Sequence, residues 1–122
     1  ATPALIQALE DADDKTRSQA AWALGAIDDR SAVRALARAL GDKTAAVRKQ
    51  AAWALGAIDD AGAVDGLMKA LTDENAAVRE QAAWALGAIG DSRALPGLLG
   101  ALKDDSVAVR RQAAWAIGAV GK

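Results

Sequence analysis

Gln50-Ala51-Ala52-Trp53-Ala54-Leu55-Gly56-Ala57-Ile58 decides the fold, because it is not unique in the chain. QAAWALGAI stands unchanged at Gln19–Ile27 and Gln81–Ile89, and returns as QAAWAIGAV at Gln112–Val120. Trp22, Trp53, Trp84 and Trp115 are therefore each 31 residues apart. A fixed period of this length marks a repeat architecture, in which one unit cannot bury its apolar face alone. The units run 1–27, 28–58, 59–89 and 90–120, with Gly121-Lys122 left over, and form one domain over 1–122.

Each unit reads as two helices. In the second unit Val33, Leu36, Ala37 and Leu40 recur at helical spacing on one face, as do Val64, Leu67, Met68 and Leu71, then Leu95, Leu98, Leu99 and Leu102. Thr2-Pro3 reads as N-cap then first helical residue, where the missing proline N–H costs nothing, and Leu95-Pro96 repeats the pattern. The second helix is predicted to begin at Asp13, Thr44, Asn75 and Ser106, four different residues that share the ability to cap orphan N–H groups.

Composition narrows the chemistry. Of 122 residues 34 are alanine, so the core is thin and the helices pack closely. There is no Cys and no His, which removes disulfides, thiol nucleophiles and the usual zinc and haem sites. A net charge of −1 argues against nucleic acid, whose affinity comes from neutralised phosphates. No apolar run approaches the ~18 residues of a membrane span. No signal peptide opens the chain, and a soluble protein, cytoplasmic if expressed natively, is expected. The first residue is Ala rather than Met, the mark expected of a processed, excised or engineered chain.

The repeated motifs resemble the HEAT-like repeats of the phycobilisome-lyase type and the artificial, alphaRep-like proteins built from their consensus. The resemblance covers all four units. It rests on the Gly90-Asp91 loop, on the VR…AAxALGxIG helix, and on Asp11/Arg17, Asp42/Arg48, Asp73/Arg79 and Asp104/Arg110 at one spacing. One departure is the lack of Pro after the second-helix N-cap, where Asp14, Ala45, Ala76 and Val107 stand. The resemblance implies an all-α fold, an α-solenoid of four helix-pair repeats with second helices lining a concave face. It also implies a structural Asp–Arg ladder. Some relatives are enzymes, but the diiron hydroxylases among them need His-Glu ligand pairs.

The face on which Trp53 lies can be read independently of the family. At about 100° per residue, Val47, Ala51, Ala54, Leu55 and Ile58 form one apolar stripe, while Trp53 lies beside Lys49 and Gln50 on the polar side. Arg48, Ala52 and Gly56 form the remaining flank, small enough for close approach of a neighbouring helix. Glycine inside a helix costs ~1 kcal/mol against alanine, so Gly25, Gly56, Gly87 and Gly118 are expected to have a compensating close contact; Gly100 has no evident reason.

Stacked at roughly 8–10 Å per unit, the tryptophans would form a ladder with Gln19, Gln50, Gln81 and Gln112. An extended peptide of about seven to nine residues would span it. The neighbouring position varies as Ser18, Lys49, Glu80 and Arg111, without the repeated basic charge a phosphate-tracking groove needs. The opposing reading wedges each indole between second helices. Four indoles offer ~150–250 Å² each, so their exposed fraction decides between the two.

Other clusters read as architecture. Asp13-Asp14, Asp28-Asp29, Asp59-Asp60 and Asp104-Asp105 fall at helix-entry loops, where carboxylates cap amides and complement the macrodipole. The expectation is a non-catalytic scaffold without cofactor or metal, engineered or excised, that takes a peptide or protein surface. Its alternative is a self-assembling module, a dimer or head-to-tail stack, because neither end unit is more polar than the interior ones.

Overall fold

The structure is a computed structural model and describes residues 1–120, so Gly121-Lys122 lie outside the described residues. Short and long helices alternate: α1 (Thr2–Ala8), α2 (Asp14–Ile27), α3 (Val33–Ala39), α4 (Ala45–Ile58), α5 (Val64–Ala70), α6 (Ala76–Ile89), α7 (Leu95–Ala101) and α8 (Val107–Ala119). The long helices α2, α4, α6 and α8 pack side by side in chain order, and each short helix packs on the long helix of its own repeat. The result is an α-solenoid. No strand occurs among the described residues.

The helical stripes meet inside each repeat. Val47, Ala51, Ala54 and Leu55 are sealed from water, as are their counterparts Val78, Ala82, Ala85 and Leu86. Leu36, Leu67 and Leu98 complete the core from the short helices. The flank holding Ala52 and Gly56 is buried too, because the next long helix lies against it.

Several features differ from the sequence reading, and Leu95, like Thr2, is the first residue of its helix and not its N-cap. A 3-10 turn precedes α3, α5 and α7, at Arg30–Ala32, Ala61–Ala63 and Ser92–Ala94, each opened by an aspartate (Asp29, Asp60 or Asp91) that accepts a backbone N–H two residues on. Asp28 and Asp59 do not cap entering helices. They close α2 and α4 in the left-handed region, with φ of 63° and 62°, and Gly90 closes α6 in the same way. Thr2 is the first residue of α1 and not its N-cap; its hydroxyl donates to Asp29 across the repeat boundary at 2.9 Å.

Of the four expected long-helix caps, Asp13, Asn75 and Ser106 accept N–H groups of the first turn. Thr44 does not. Its hydroxyl lies 3.3 Å from Arg17 Nη2 and accepts that bond instead.

Candidate interaction surface

The indoles sit where two demands meet. Helical geometry aims Trp53 away from its own apolar stripe, yet its ring is long enough to reach the preceding helix. There it finds Gly25. A Cβ built on Gly25 would lie 2.7 Å from Trp53 Cζ3 and 2.7 Å from Ala54 Cα. The joint recurs: a Cβ on Gly56 would lie 2.5 Å from Trp84 Cζ3 and 2.8 Å from Ala85 Cα. On Gly87 it would lie 2.5 Å from Trp115 Cζ3 and 2.8 Å from Ala116 Cα. Real Cβ atoms do not tolerate such distances. Glycine here is what lets both the backbone and the indole of the next repeat approach. Gly118 departs from the expectation, with nothing within 4 Å, and Gly100, for which no contact is expected, has none either.

Wedging leaves part of every ring uncovered. Trp22 is 50% exposed and Trp115 48%, while Trp53 and Trp84 are half-buried. Trp22 stacks on Trp53 with centroids 6.5 Å apart and planes 11° from parallel, an arrangement worth ~0.5–1.5 kcal/mol beyond area burial. Along the same face Gln19 is exposed, and Gln50, Gln81 and Gln112 are half-buried. Lys49 and Arg111 are exposed, Ser18 and Glu80 half-buried. Ser18, Gln19, Trp22 and Gln50 line one open hollow between the first two repeats.

The Asp–Arg spacing forms a separate ladder. Arg17 Nε donates to Asp42 Oδ2 at 2.9 Å, Arg48 Nε to Asp73 Oδ2 at 2.8 Å, and Arg79 Nε to Asp104 Oδ2 at 2.8 Å. Each Nη2 donates to the other carboxylate oxygen, and each Nη1 to the backbone carbonyl of the aspartate in its own repeat. Each guanidinium thus ties its own loop to the next one by a bidentate fork. The Asp11 carboxylate accepts only the Asp13 N–H, and the Arg110 side chain donates only to the Asp104 carbonyl, among the described residues.

Electrostatics follow this geometry. Burial pushes the Asp42 carboxyl up, but the Arg17 hydrogen bond, the Thr44 N–H and the Arg17 charge outweigh it and leave its pKa below 3.8. Asp104 is lowered by the same balance with Arg79 and the Ser106 N–H. Among the described residues, no group of three or more His, Cys, Asp or Glu side chains could hold a metal ion. No described helix is long and apolar enough to cross a membrane.

Paired helices stacked in register, tied by a repeated Asp–Arg fork, define the class: an α-solenoid of helix-pair repeats. The family is shown by its model for HEAT repeats, which matches residues 2–79 and 64–122, and the chain belongs to it. A comparison with curated protein sequences returns no match. Among solved structures, it is similar to the complex of CpcE and CpcF of phycocyanin lyase from Nostoc sp. PCC7120, at 30% identity and a TM-score of 0.91 over 99% of this chain. Human deoxyhypusine hydroxylase in complex with glycerol follows at 31% identity and 0.84 over 98%. A designed armadillo repeat protein in complex with the peptide (KR)4 is similar at 25% identity and 0.79 over 97%. The chain spans 53%, 43% and 63% of those three chains.

Proposed function

We propose that this chain is a non-catalytic scaffold that takes an extended peptide or a protein surface across the face shared by α2, α4, α6 and α8. Trp22, Trp53, Trp84 and Trp115 supply the apolar contact, Gln19, Gln50, Gln81 and Gln112 the amides for a peptide backbone, and Ser18, Lys49, Glu80 and Arg111 the selectivity. One observation carries the reading: the rings of Trp53, Trp84 and Trp115 reach into the joints and still present an uncovered side. Rings held this way have little rotamer freedom left to lose, which lowers the cost of binding. Aromatic anchors flanked by adaptable amides also suit a paratope.

The designed armadillo protein bound to a peptide supports the reading by likeness of fold. The lyase and hydroxylase among the neighbours do not carry their chemistry to a chain without a single His or Cys. Self-association is the second reading. It is favoured by the apolar surface at the last repeat, where Leu99 and Leu102 are exposed.

The test is selection from a random library of nine-residue peptides, followed by Gln50→Ala and Gln81→Ala. Neither amide makes a side-chain hydrogen bond among the described residues. The expected result is at least tenfold weaker binding by the double variant with an unchanged melting curve. Binders insensitive to both substitutions would refute this face as the site.

A further inference from the structure

The long helices of the two middle repeats are the same helix but for one residue. Ala45–Ile58 reads AAVRKQAAWALGAI and Ala76–Ile89 reads AAVREQAAWALGAI, so the one change within 14 residues is Lys49 to Glu80. Arg111 holds the same place in α8. Everything the core and the joint require is thus repeated, and the position that changes reverses its charge from one repeat to the next. It lies on the face of Trp53 and Gln50, about 40° from the indole around the helix axis.

None of these three charges is used inside the chain. Lys49, Glu80 and Arg111 make no ion pair among the described residues, with each other or with any neighbour. No buried side-chain polar atom lacks a partner there either, so the unpaired Glu80 carboxylate is open to water although its residue is half-buried. One turn earlier on the face stand Ala46, Ala77 and Ala108, too short to shield the charges.

The step between the charges is that of the helices. A Cβ on Gly25, Gly56 or Gly87 would lie 2.7 or 2.8 Å from a Cα of the next long helix. With Cα atoms ~2.3 Å from each axis, the axes pass about 9 Å apart. Side chains that meet the three charges must therefore recur on one side of the partner about every 9 Å. A β-strand repeats a side every ~6.7 Å and an α-helix every ~5.4 Å. Polyproline II, with three residues per turn and a rise of ~3.1 Å, repeats every ~9.3 Å.

We infer that the occupant of this face is a proline-rich segment in the polyproline II conformation, with acidic, basic and acidic side chains at every third residue, set against Lys49, Glu80 and Arg111. The inference rests on the peptide-binding reading and deepens it by naming the class of peptide. Prolines suit uncovered indoles, because such segments dock on aromatic-lined grooves and arrive already ordered. Polyproline II also leaves its backbone solvated, so its carbonyls can accept from the Gln50 and Gln81 amides. The order acidic, basic, acidic reads the same in both directions and fits whichever way the peptide runs. Exposed pairs are individually weak. Discrimination comes from their order, since exchanging two neighbouring charges on the peptide sets like against like at two repeats.

Two labelled peptides of equal composition, Glu-Pro-Pro-Lys-Pro-Pro-Glu and Lys-Pro-Pro-Glu-Pro-Pro-Glu, test it by fluorescence anisotropy on the 122-residue chain at low salt. The wild type should bind the first at least tenfold more tightly. Lys49→Glu combined with Glu80→Lys keeps composition and net charge, and should reverse the preference with an unchanged melting curve. A preference that this variant retains places the discrimination elsewhere and overturns the inference. Equal affinity for both peptides, still weakened by Gln50→Ala with Gln81→Ala, overturns the charge order and leaves the face as the site. Binding of neither, while the random library yields peptides that depend on Gln50 and Gln81, overturns the polyproline class and spares the peptide reading. Failure of both peptides and of the library removes the two readings together.

Discussion

Gly56 of α4 and Trp84 of α6 share one volume: where a Cβ would stand on the glycine, the indole edge lies 2.5 Å away. Helix propensity and packing therefore pull in opposite directions at this position. Alanine would gain ~1 kcal/mol as a helix former, but overpacking of this kind costs ~1–3 kcal/mol, and the Ala85 backbone behind the indole cannot swing aside.

Gly56→Ala and Gly87→Ala should therefore each lower stability by about 1–2 kcal/mol. Gly118→Ala, with nothing to meet, should raise it by up to ~1 kcal/mol. Urea unfolding of dilute samples separates the two classes by sign.

The Asp–Arg ladder gives a second contrast. Arg48 is nearly buried and makes three hydrogen bonds, two to Asp73 and one to the Asp42 carbonyl. Arg48→Met leaves a largely buried Asp73 carboxylate without its cation and should cost about 2–4 kcal/mol. Arg110→Met removes a single carbonyl contact and should cost under about 1 kcal/mol. Chemical denaturation of the two variants measures the difference.

Acid should weaken the fold through the same ladder. The Asp42 and Asp104 carboxyls titrate below 3.8 in the folded chain, against ~3.9 when unfolded. Depressed folded values mean that the unfolded chain takes up protons first, so this contribution is whole above about pH 4 and is lost as pH falls through the folded values. Thermal melts between pH 7 and pH 2.5 should show the drop beginning near pH 4. Arg17→Met together with Arg79→Met should flatten it.

Asp59 closes α4 with φ of 62° and makes no side-chain hydrogen bond among the described residues. A left-handed L-residue carries ~1–2 kcal/mol of strain that glycine escapes, partly offset by the greater entropy of an unfolded glycine. Asp59→Gly should be stabilising by about 0.5–1 kcal/mol, and Asp59→Val destabilising, in equilibrium unfolding. Gly90 at the equivalent turn shows that the backbone accepts glycine there.

Much of this was legible in the residues. Arithmetic at 100° per residue assigned the buried stripe of Val47, Ala51, Ala54, Leu55 and Ile58, because a repeated helix has only one way to hide its apolar face. The 3-10 turns leave no mark in the sequence, because three residues are too few for periodicity to register. Asp28 and Asp59 look like entry caps by residue type, because aspartate serves both ends of a helix, and their closing role is signalled only by Gly90 at the same place in the third repeat. The wheel gave the direction of Trp53 but not its depth. How far an indole reaches into the next joint depends on helix spacing, and that spacing is set by Gly25 across the boundary. Thr44 fits every rule for an N-cap, yet its hydroxyl goes to a guanidinium supplied by a different repeat.

Acrylamide quenching of four single-tryptophan variants, with the other indoles replaced by Phe, tests most directly whether this face is open to a partner. The account predicts the strongest quenching for Trp22 and Trp115, weaker but clear quenching for Trp53 and Trp84, and protection of all four by a selected peptide. Quenching as slow as that of a fully buried indole at every position would contradict it.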